Sequence, residues 1–379
     1  MSSRAEVVIV GGGIIGCSIA YYLSREGVRA QIIERNAIGS EASGMSPGVL
    51  APLMDMEAPG VMDVKARWPY IELCLESFRL HRHLHEELRE EAGLDVQYRR
   101  TPILHTAFSE SEEQRLKAQI PLQQTSGIDI AWLGRDELKS LGAGLSPRIR
   151  GALCWYDQAE VESYRLTLAY VQAAESRGAS IRQGTVTGIR HRGAKVTGVI
   201  VSGREIGADI VVLAMGTWSK AGGLWLGRRV PVEPVRGQII TLEPPGELPP
   251  YLAFHGINYV IPKAGGSLLI GTTYERVGFR NRVTQAGQNG ILRGALSLLP
   301  SLAKTRMVRA VSGLRPLSAD TLPILGRFPG WDNAYVAAGH GPQGIILSAI
   351  TGRIMAELIT KGHTQTAIEA FDPARFGLG

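Results

Sequence analysis

The first apolar run, "VVIV" at residues 7–10, is β-branched or aliphatic throughout and predicts a buried strand. Glycines interrupt it, and apolar residues then recur at helical spacing, at Ile15, Ile19, Tyr22 and Leu23, up to a stop at Gly27. A second strand, "AQIIE", starts at Ala30, completing a strand–helix–strand unit of about 30 residues, the size of a right-handed parallel crossover. Between residues 68 and 92, Ile71, Leu75, Phe78, Leu84 and Leu88 mark the apolar face of a long helix whose other face is charged. From 95 to 150 the pattern breaks into short strand-like pieces around a charged helix, which predicts a second domain begun within the first. "ALCWYDQAEVESYRLTLAYVQAAESRGASIRQGTVTGI" returns to helix and strand alternation, and "ADIVVLAMGTWS" reads as a buried strand running into a glycine turn at Gly216. "RGQIITL", "NYVIPK" and "SLLIGTT" alternate apolar and polar positions as antiparallel strands do, with "PPGELPP" an exposed loop among them. The last strand, "AYVAAG", leads through a glycine-rich loop into a helix ending near Thr360.

The expected fold class is therefore α/β, with a discontinuous first domain from residues 1–92, 150–222 and 308–379. Residues 93–149 and 223–307 form a second, α+β domain built on an antiparallel sheet. No internal repeat or low-complexity segment is visible.

Composition narrows the function. With 379 residues, 44% of them hydrophobic, the chain can bury a large core and is not disordered. Its formal charge of +6 comes from Lys and Arg scattered among Asp and Glu, which suits acidic small molecules and gives no nucleic-acid footprint. Cys17, Cys74 and Cys154 are odd in number and unpaired in spacing, arguing against both a disulfide framework and a zinc knuckle. "MSSRAE" passes directly into the first strand without a leader, and residues 7–20 are too short and too glycine-rich to span a bilayer. The expected location is cytoplasmic, with no integral membrane segment and with peripheral membrane contact left open.

"VVIVGGGIIG" places Gly11, Gly13 and Gly16 in G-x-G-x-x-G spacing between a strand and a helix. The first glycine permits a tight turn, the second a close approach of backbone to a pyrophosphate, and the third close packing of helix on strand. The helix N-terminus adds free N–H groups and a positive dipole end. Glu34 ends the second strand, where its carboxylate can accept from both hydroxyls of an adenosine ribose. The acid disfavours a 2′-phosphate and hence NADP, while NAD and FAD present the same half to this Rossmann-type motif.

These residues resemble the D-amino-acid oxidase family of flavoproteins, and within it the glycine oxidases. The resemblance runs through "VVIVGGGIIGCSIAYYLSREG", "IIER", "IGSEASGMSPGVLAP", "ADIVVLAMGTWS", "PVRGQ", "NYVIPK", "GLRPLSADTLPILGR" and "GHGPQGIILSAITGR", in order over nearly the whole chain. It implies FAD. Ile14, Ile15, Glu34, Arg35, Ala42 and Ser43 match cofactor-contacting positions. Pro47, Gly48 and Val49 match backbone beside the isoalloxazine, and Val186 a main-chain contact on the adenine side. His340, Gly341, Pro342, Gln343, Gly344, Ile345 and Ile346 match the loop around the flavin pyrimidine end. No Cys or His matches a covalent attachment point, so the implied FAD is non-covalent.

The chemistry implied by the resemblance is hydride transfer from the Cα–H of an amino acid to flavin N5, giving an imine that water hydrolyses and, with O2, hydrogen peroxide. A planar Arg fork suits the substrate carboxylate, and Arg315, held extended before Pro316, matches the family's carboxylate anchor. Tyr259 matches a Tyr that donates to the same carboxylate, although a Tyr on a half-buried strand also suits core packing. His340 sits on the flavin side, contributing shape, and hydride transfer from a neutral amine needs no base there. Gly339, Gly341 and Gly344 let the loop run close to the ring, and the helix after them aims its positive end at the negative charge of the reduced flavin.

Two enzyme readings remain at this point: an oxidase using molecular oxygen, whose family role is to supply the glycine imine for thiamine biosynthesis, and a dehydrogenase passing electrons to a quinone or other acceptor. A flavin-binding subunit is the non-enzyme alternative. The partners implied are a small amino-acid substrate and a homo-oligomer, tetrameric by analogy. Pro342 departs from the pattern, because glycine oxidases carry an Arg there close to the substrate. Substrate size depends on "FHGIN" and on the helix expected after Pro52. His81, His83 and His85 in "HRHLHEEL" lack the spacing of a zinc motif and read as a solvated helix face.

Overall fold

The computed structural model describes residues 4–54, 67–142, 144–244 and 246–377; the helix expected after Pro52 falls largely on residues 55–66, outside the described residues. Arg4–Val10, Ala30–Glu34 and Arg204–Leu213 form the centre of an eight-stranded sheet, with Arg4–Val10 parallel to both neighbours. Ser180–Gln183 extends it in parallel on one side and Ala334–Ala338 on the other, while Val186–Arg192, Lys195–Val201 and Ile324–Arg327 add antiparallel strands. The first strand starts at Arg4 rather than at Val7, because pairing continues outward from Val7↔Ile210 to Arg4↔Gly207.

The expected first helix is present as Ile14–Arg25, but its buried face is wider than the stripe read from the sequence. Cys17, Ser18, Ile19, Tyr21 and Leu23 are buried, while Ile15 and Tyr22 are only half-buried. The helix is sandwiched between the sheet and the helices Ser163–Ser176 and Gly344–Lys361, so one-sided periodicity understates its burial.

The second sheet also has eight strands, in the order 306–318, 232–243, 268–271, 258–262, 252–255, 103–107, 151–155 and 130–134. All neighbours are antiparallel except 252–255 with 103–107. Two of its strands differ from the domain division expected above. Gly151–Trp155 pairs with 103–107 and 130–134, and Arg306–Ser318 pairs along its length with Val232–Glu243, so both belong to the second sheet. "GALCW" is buried at every position, and such a run carries no period to say which sheet takes it.

A three-stranded ribbon, Val49–Leu50, Ala159–Glu160 and Arg99–Arg100, closes the seam between the sheets. Lys263, almost fully buried at the end of Asn258–Pro262, donates to Glu160 Oε2 at 2.8 Å, Val161 O at 2.9 Å and Pro47 O at 3.1 Å. Glu160 also accepts from Arg99 Nε at 3.0 Å. Removing one member of such a buried set leaves a charge without its partner, whereas an exposed pair such as Arg4–Asp209 contributes little. Lys263→Met should therefore lower unfolding free energy by about 3 kcal/mol while Arg4→Met leaves it nearly unchanged, as read from urea denaturation of both variants.

Candidate active site

A deep cavity runs along the C-terminal end of the first sheet and into the face of the second, walled at one end by Val10, Gly11, Gly13, Glu34 and Arg35 and at the other by Gly237, Ile239, Leu314 and Arg315. At the first end the three motif glycines are required for different reasons. Gly11 has φ +113°, and a Cβ there would lie 2.4 Å from Ala214 O. A Cβ on Gly16 would lie 2.0 Å from Gly11 O, so the helix can approach the turn only without one. Gly13 faces open space, its nearest neighbour being Ser43 Oγ at 3.3 Å. That opening lies at the helix N-terminus, where Ser43 Oγ accepts from Ile14 N at 2.9 Å.

Glu34 is fixed by two backbone amides, accepting from Gly12 N at 2.7 Å and Asn36 N at 2.8 Å. Gly12 was not singled out by spacing, yet a Cβ on it would meet Ile38 at 2.5 Å and Glu34 at 2.9 Å. Arg35 lies over the indole of Trp218, 3.7 Å from the ring centroid, and pairs with Glu41 at 3.2 Å. Ala42, Pro47, Thr185, Val186, Met215 and Gly216 continue the wall.

In the loop expected to meet the flavin, His340, Gly341, Pro342, Gly344 and Ile345 line the cavity. Gln343 and Ile346 do not: both are buried behind it, Ile346 within the main apolar cluster. Gly48 and Val49 likewise lie behind Pro47, tied to the neighbouring ribbon by Val161 N to Gly48 O and by the Val49↔Glu160 pairing. Gly339 and Gly341 have φ +74° and +54°, whereas Gly344 is helical with room around it, so its lack of a side chain widens the cavity rather than relieving strain. His340 pairs with Thr351 Oγ1 at 3.1 Å, and burial holds its imidazole far below the usual range, at about 3. A neutral, weakly basic ring is a poor proton acceptor and a good wall.

Arg315 is the cation at the end away from Glu34, two residues before Leu317, which bridges to His340. Its Nη1 donates to Thr273 O at 3.0 Å and its Nη2 to Thr272 Oγ1 at 2.9 Å, leaving the other N–H groups of the fork for a ligand. Gly237 gives it room, since a Cβ there would sit 2.4 Å from the guanidinium. The turn it grips is rigid. Glu275 accepts from Arg236 Nη2 at 2.8 Å, Gln238 Nε2 at 2.8 Å and Thr273 Oγ1 at 2.8 Å, and Arg236 holds its carboxyl down at about 2. Glycines inside strands, as in "RGQ" and "SGLRP", were the signal for these close approaches.

Tyr259 is not in the cavity wall. Its ring packs between Phe254, 5.6 Å away, and Gly271, and its hydroxyl is buried without a well-aligned hydrogen bond among the described residues. Burial pushes its pKa up to about 12, against the opposing charge of Arg315.

The cavity fits an extended dinucleotide: a glycine-lined opening at a helix N-terminus, a fixed carboxylate one strand away, and an apolar channel leading to a distant cation. A family model described as FAD dependent oxidoreductase matches residues 6–358. The chain belongs to that family. It is 32% identical to glycine oxidase of Geobacillus kaustophilus, over 100% of this chain and 97% of that one. It is also 32% identical to the hydrogen cyanide synthase subunit HcnC of Pseudomonas aeruginosa, over 99% and 97%. The crystal structure of glycine oxidase from Geobacillus kaustophilus matches with a TM-score of 0.92 at 31% identity, covering 98% of this chain and 99% of that one. The protein is thus an FAD-dependent oxidoreductase, and Gly13, Ser43, Glu34 and Arg35 line an end of the cavity that could hold its cofactor's ADP half.

Two of the three helix-borne histidines depart from the expected solvated face, while His83 is exposed as expected. His81 is buried, with Nε2 2.9 Å from Ile346 O, and burial lowers it to about 4; His85 stacks on Tyr98 at 4.1 Å. Among the described residues no three His, Cys, Asp or Glu side chains converge on a metal position, and no helix is long and apolar enough to cross a membrane.

The two buried imidazoles set an acid limit. An unfolded histidine takes up a proton below about 6.5 whereas folded His81 and His340 resist it down to about 4 and about 3. Stability is therefore complete above that unfolded value and falls with pH below it. Each should cost up to about 2 kcal/mol between pH 6.5 and 5, a window in which the depressed carboxyls of Glu112 and Glu275 are silent. Urea titrations of the apoprotein at both pH values should show the loss, and His340→Asn should reduce it.

Proposed function

We propose that the protein oxidises a small amino acid or N-alkyl amino acid at the carbon bearing the amine. In this reading amino acid, O2 and water yield oxo acid, ammonia or amine, and hydrogen peroxide. The observation that carries it is the Arg315 fork, half-open and half-anchored at the end of the FAD cavity. Two parallel N–H groups on a rigid turn match a carboxylate, and Glu275 keeps that turn from following the guanidinium when a ligand binds.

The bound flavin supplies the two-electron acceptor for the C–H bond; the chain supplies placement and exclusion of water. Arg315 holds the carboxylate. Tyr259, buried behind the cavity wall, packs beside this end without touching the carboxylate. His340 stays neutral and closes the wall. Among the described residues the cavity wall carries two arginines, Arg315 and the distant, Glu41-paired Arg35. Pro342 adds no second cation to the substrate end, which supports a monocarboxylate and leaves space beside the amine for an N-substituent.

Arg315→Ala should raise the Michaelis constant at least tenfold, a loss of about 1.4 kcal/mol, with FAD content unchanged by absorbance. Anaerobic bleaching of the flavin by glycine, sarcosine, D-alanine and proline identifies the substrate, and failure of all four would remove this reading. Oxygen consumption with and without an artificial acceptor separates oxidase from dehydrogenase. Pro342→Arg should shift preference toward glycine over sarcosine, as measured by the ratio of their kcat/KM values.

A further inference from the structure

The helix Gly344–Lys361 begins at the cavity, with Gly344 and Ile345 in its wall, and one turn later two of its backbone groups are also bonded by a side chain from another helix. Ser77, from the helix Trp68–Ala92, inserts its hydroxyl between Ile346 and Ile350: Ser77 Oγ donates to Ile346 O and accepts from Ile350 N at 3.1 Å. The same carbonyl meets His81 Nε2 at 2.9 Å. Ser77 and His81 are four residues apart on one helical face, and both are buried. Beside them Ser348 Oγ donates to Ile345 O at 2.7 Å and pairs with Tyr170 OH at 3.2 Å, and Ser18 Oγ donates to Ser348 O at 2.7 Å.

An inserted hydroxyl opens a helical rung and lets the helix bend there. The direction of the first turn is then tied to the partner helix that supplies the hydroxyl as well as to its own ladder. These contacts hold the turn that follows Gly344 and Ile345 in the cavity wall, where a helix N-terminus presents N–H groups and a positive end.

We propose that Ser77 and His81 are positioning residues for the cofactor, aiming the first turn of the 344–361 helix at the flavin and so adjusting both its affinity and its reduction potential. Neither residue touches the cavity; they act through the Ile346 carbonyl. The inference rests on the FAD assignment and is independent of which amine is oxidised.

The test uses Ser77→Ala, His81→Gln and His81→Leu in the full-length protein, with FAD dissociation constants from fluorescence of free FAD and reduction potentials from dye equilibration. Ser77→Ala and His81→Leu should each raise the dissociation constant at least tenfold and make the potential more negative. His81→Gln, whose amide nitrogen reaches the position of Nε2, should stay within threefold of the parent. Apoprotein melting temperatures provide the comparison, since a merely structural role moves them alone. Parent-like FAD affinity and potential in Ser77→Ala or His81→Leu would overturn the proposal, as would equal effects of His81→Gln and His81→Leu. Should Ser77→Ala fail to fold, the two His81 variants carry the same decision.

Discussion

The approach of the first helix to the first strand's turn is the constraint on which the cofactor site depends. A methyl group on residue 16 would overlap the Gly11 carbonyl, and one on residue 11 the Ala214 carbonyl, so three segments of backbone meet with no side chain between them. That contact brings the N-terminus of the helix to the edge of the sheet and leaves Gly13 facing open space. Glu34 is held beside it through the Gly12 amide, so the same turn that makes room for a pyrophosphate also holds the carboxylate expected to meet the ribose.

At the other end of the cavity the constraint is electrostatic. Arg315 is charged in a half-buried place, and burial lowers its pKa from the ordinary arginine value without making it a proton donor. A buried cation is tolerated when its surroundings are fixed dipoles, and here they are the Thr273 carbonyl and the Thr272 hydroxyl, braced by a carboxylate with several donors of its own. The two ends are joined by the seam at Lys263, whose ammonium ties a strand of the second sheet to Pro47 in the cavity wall. Binding chemistry and domain packing therefore share residues.

Much of this was legible in the sequence where local pattern and local chemistry agree. The G-x-G-x-x-G turn with Glu34, the 25-residue helix Trp68–Ala92 and the antiparallel strands after Val232 all followed from spacing. Arg315 was legible through its motif. What was not legible depends on long-range pairing. "GALCW" could have entered either sheet, Ile346 and Gln343 turn into the core although their neighbours face the cavity, and His81 looks solvated until the 344–361 helix covers it. The Arg35–Trp218 stack joins residues far apart in sequence, and nothing in either segment announces the other.

The strand Arg306–Ser318 has one further consequence. It carries Arg315 into the cavity wall, and two residues later Leu317 bridges to His340, which lines the same cavity. A ligand gripping Arg315 and a cofactor pressed against His340 thus pull on one continuous piece of backbone. Thermodynamic linkage makes such a connection symmetric: by whatever factor the oxidised cofactor tightens the hold on a carboxylate, the carboxylate tightens the hold on that cofactor. Were a carboxylate held at Arg315, retention of the cofactor would depend on that ligand as well as on the fold.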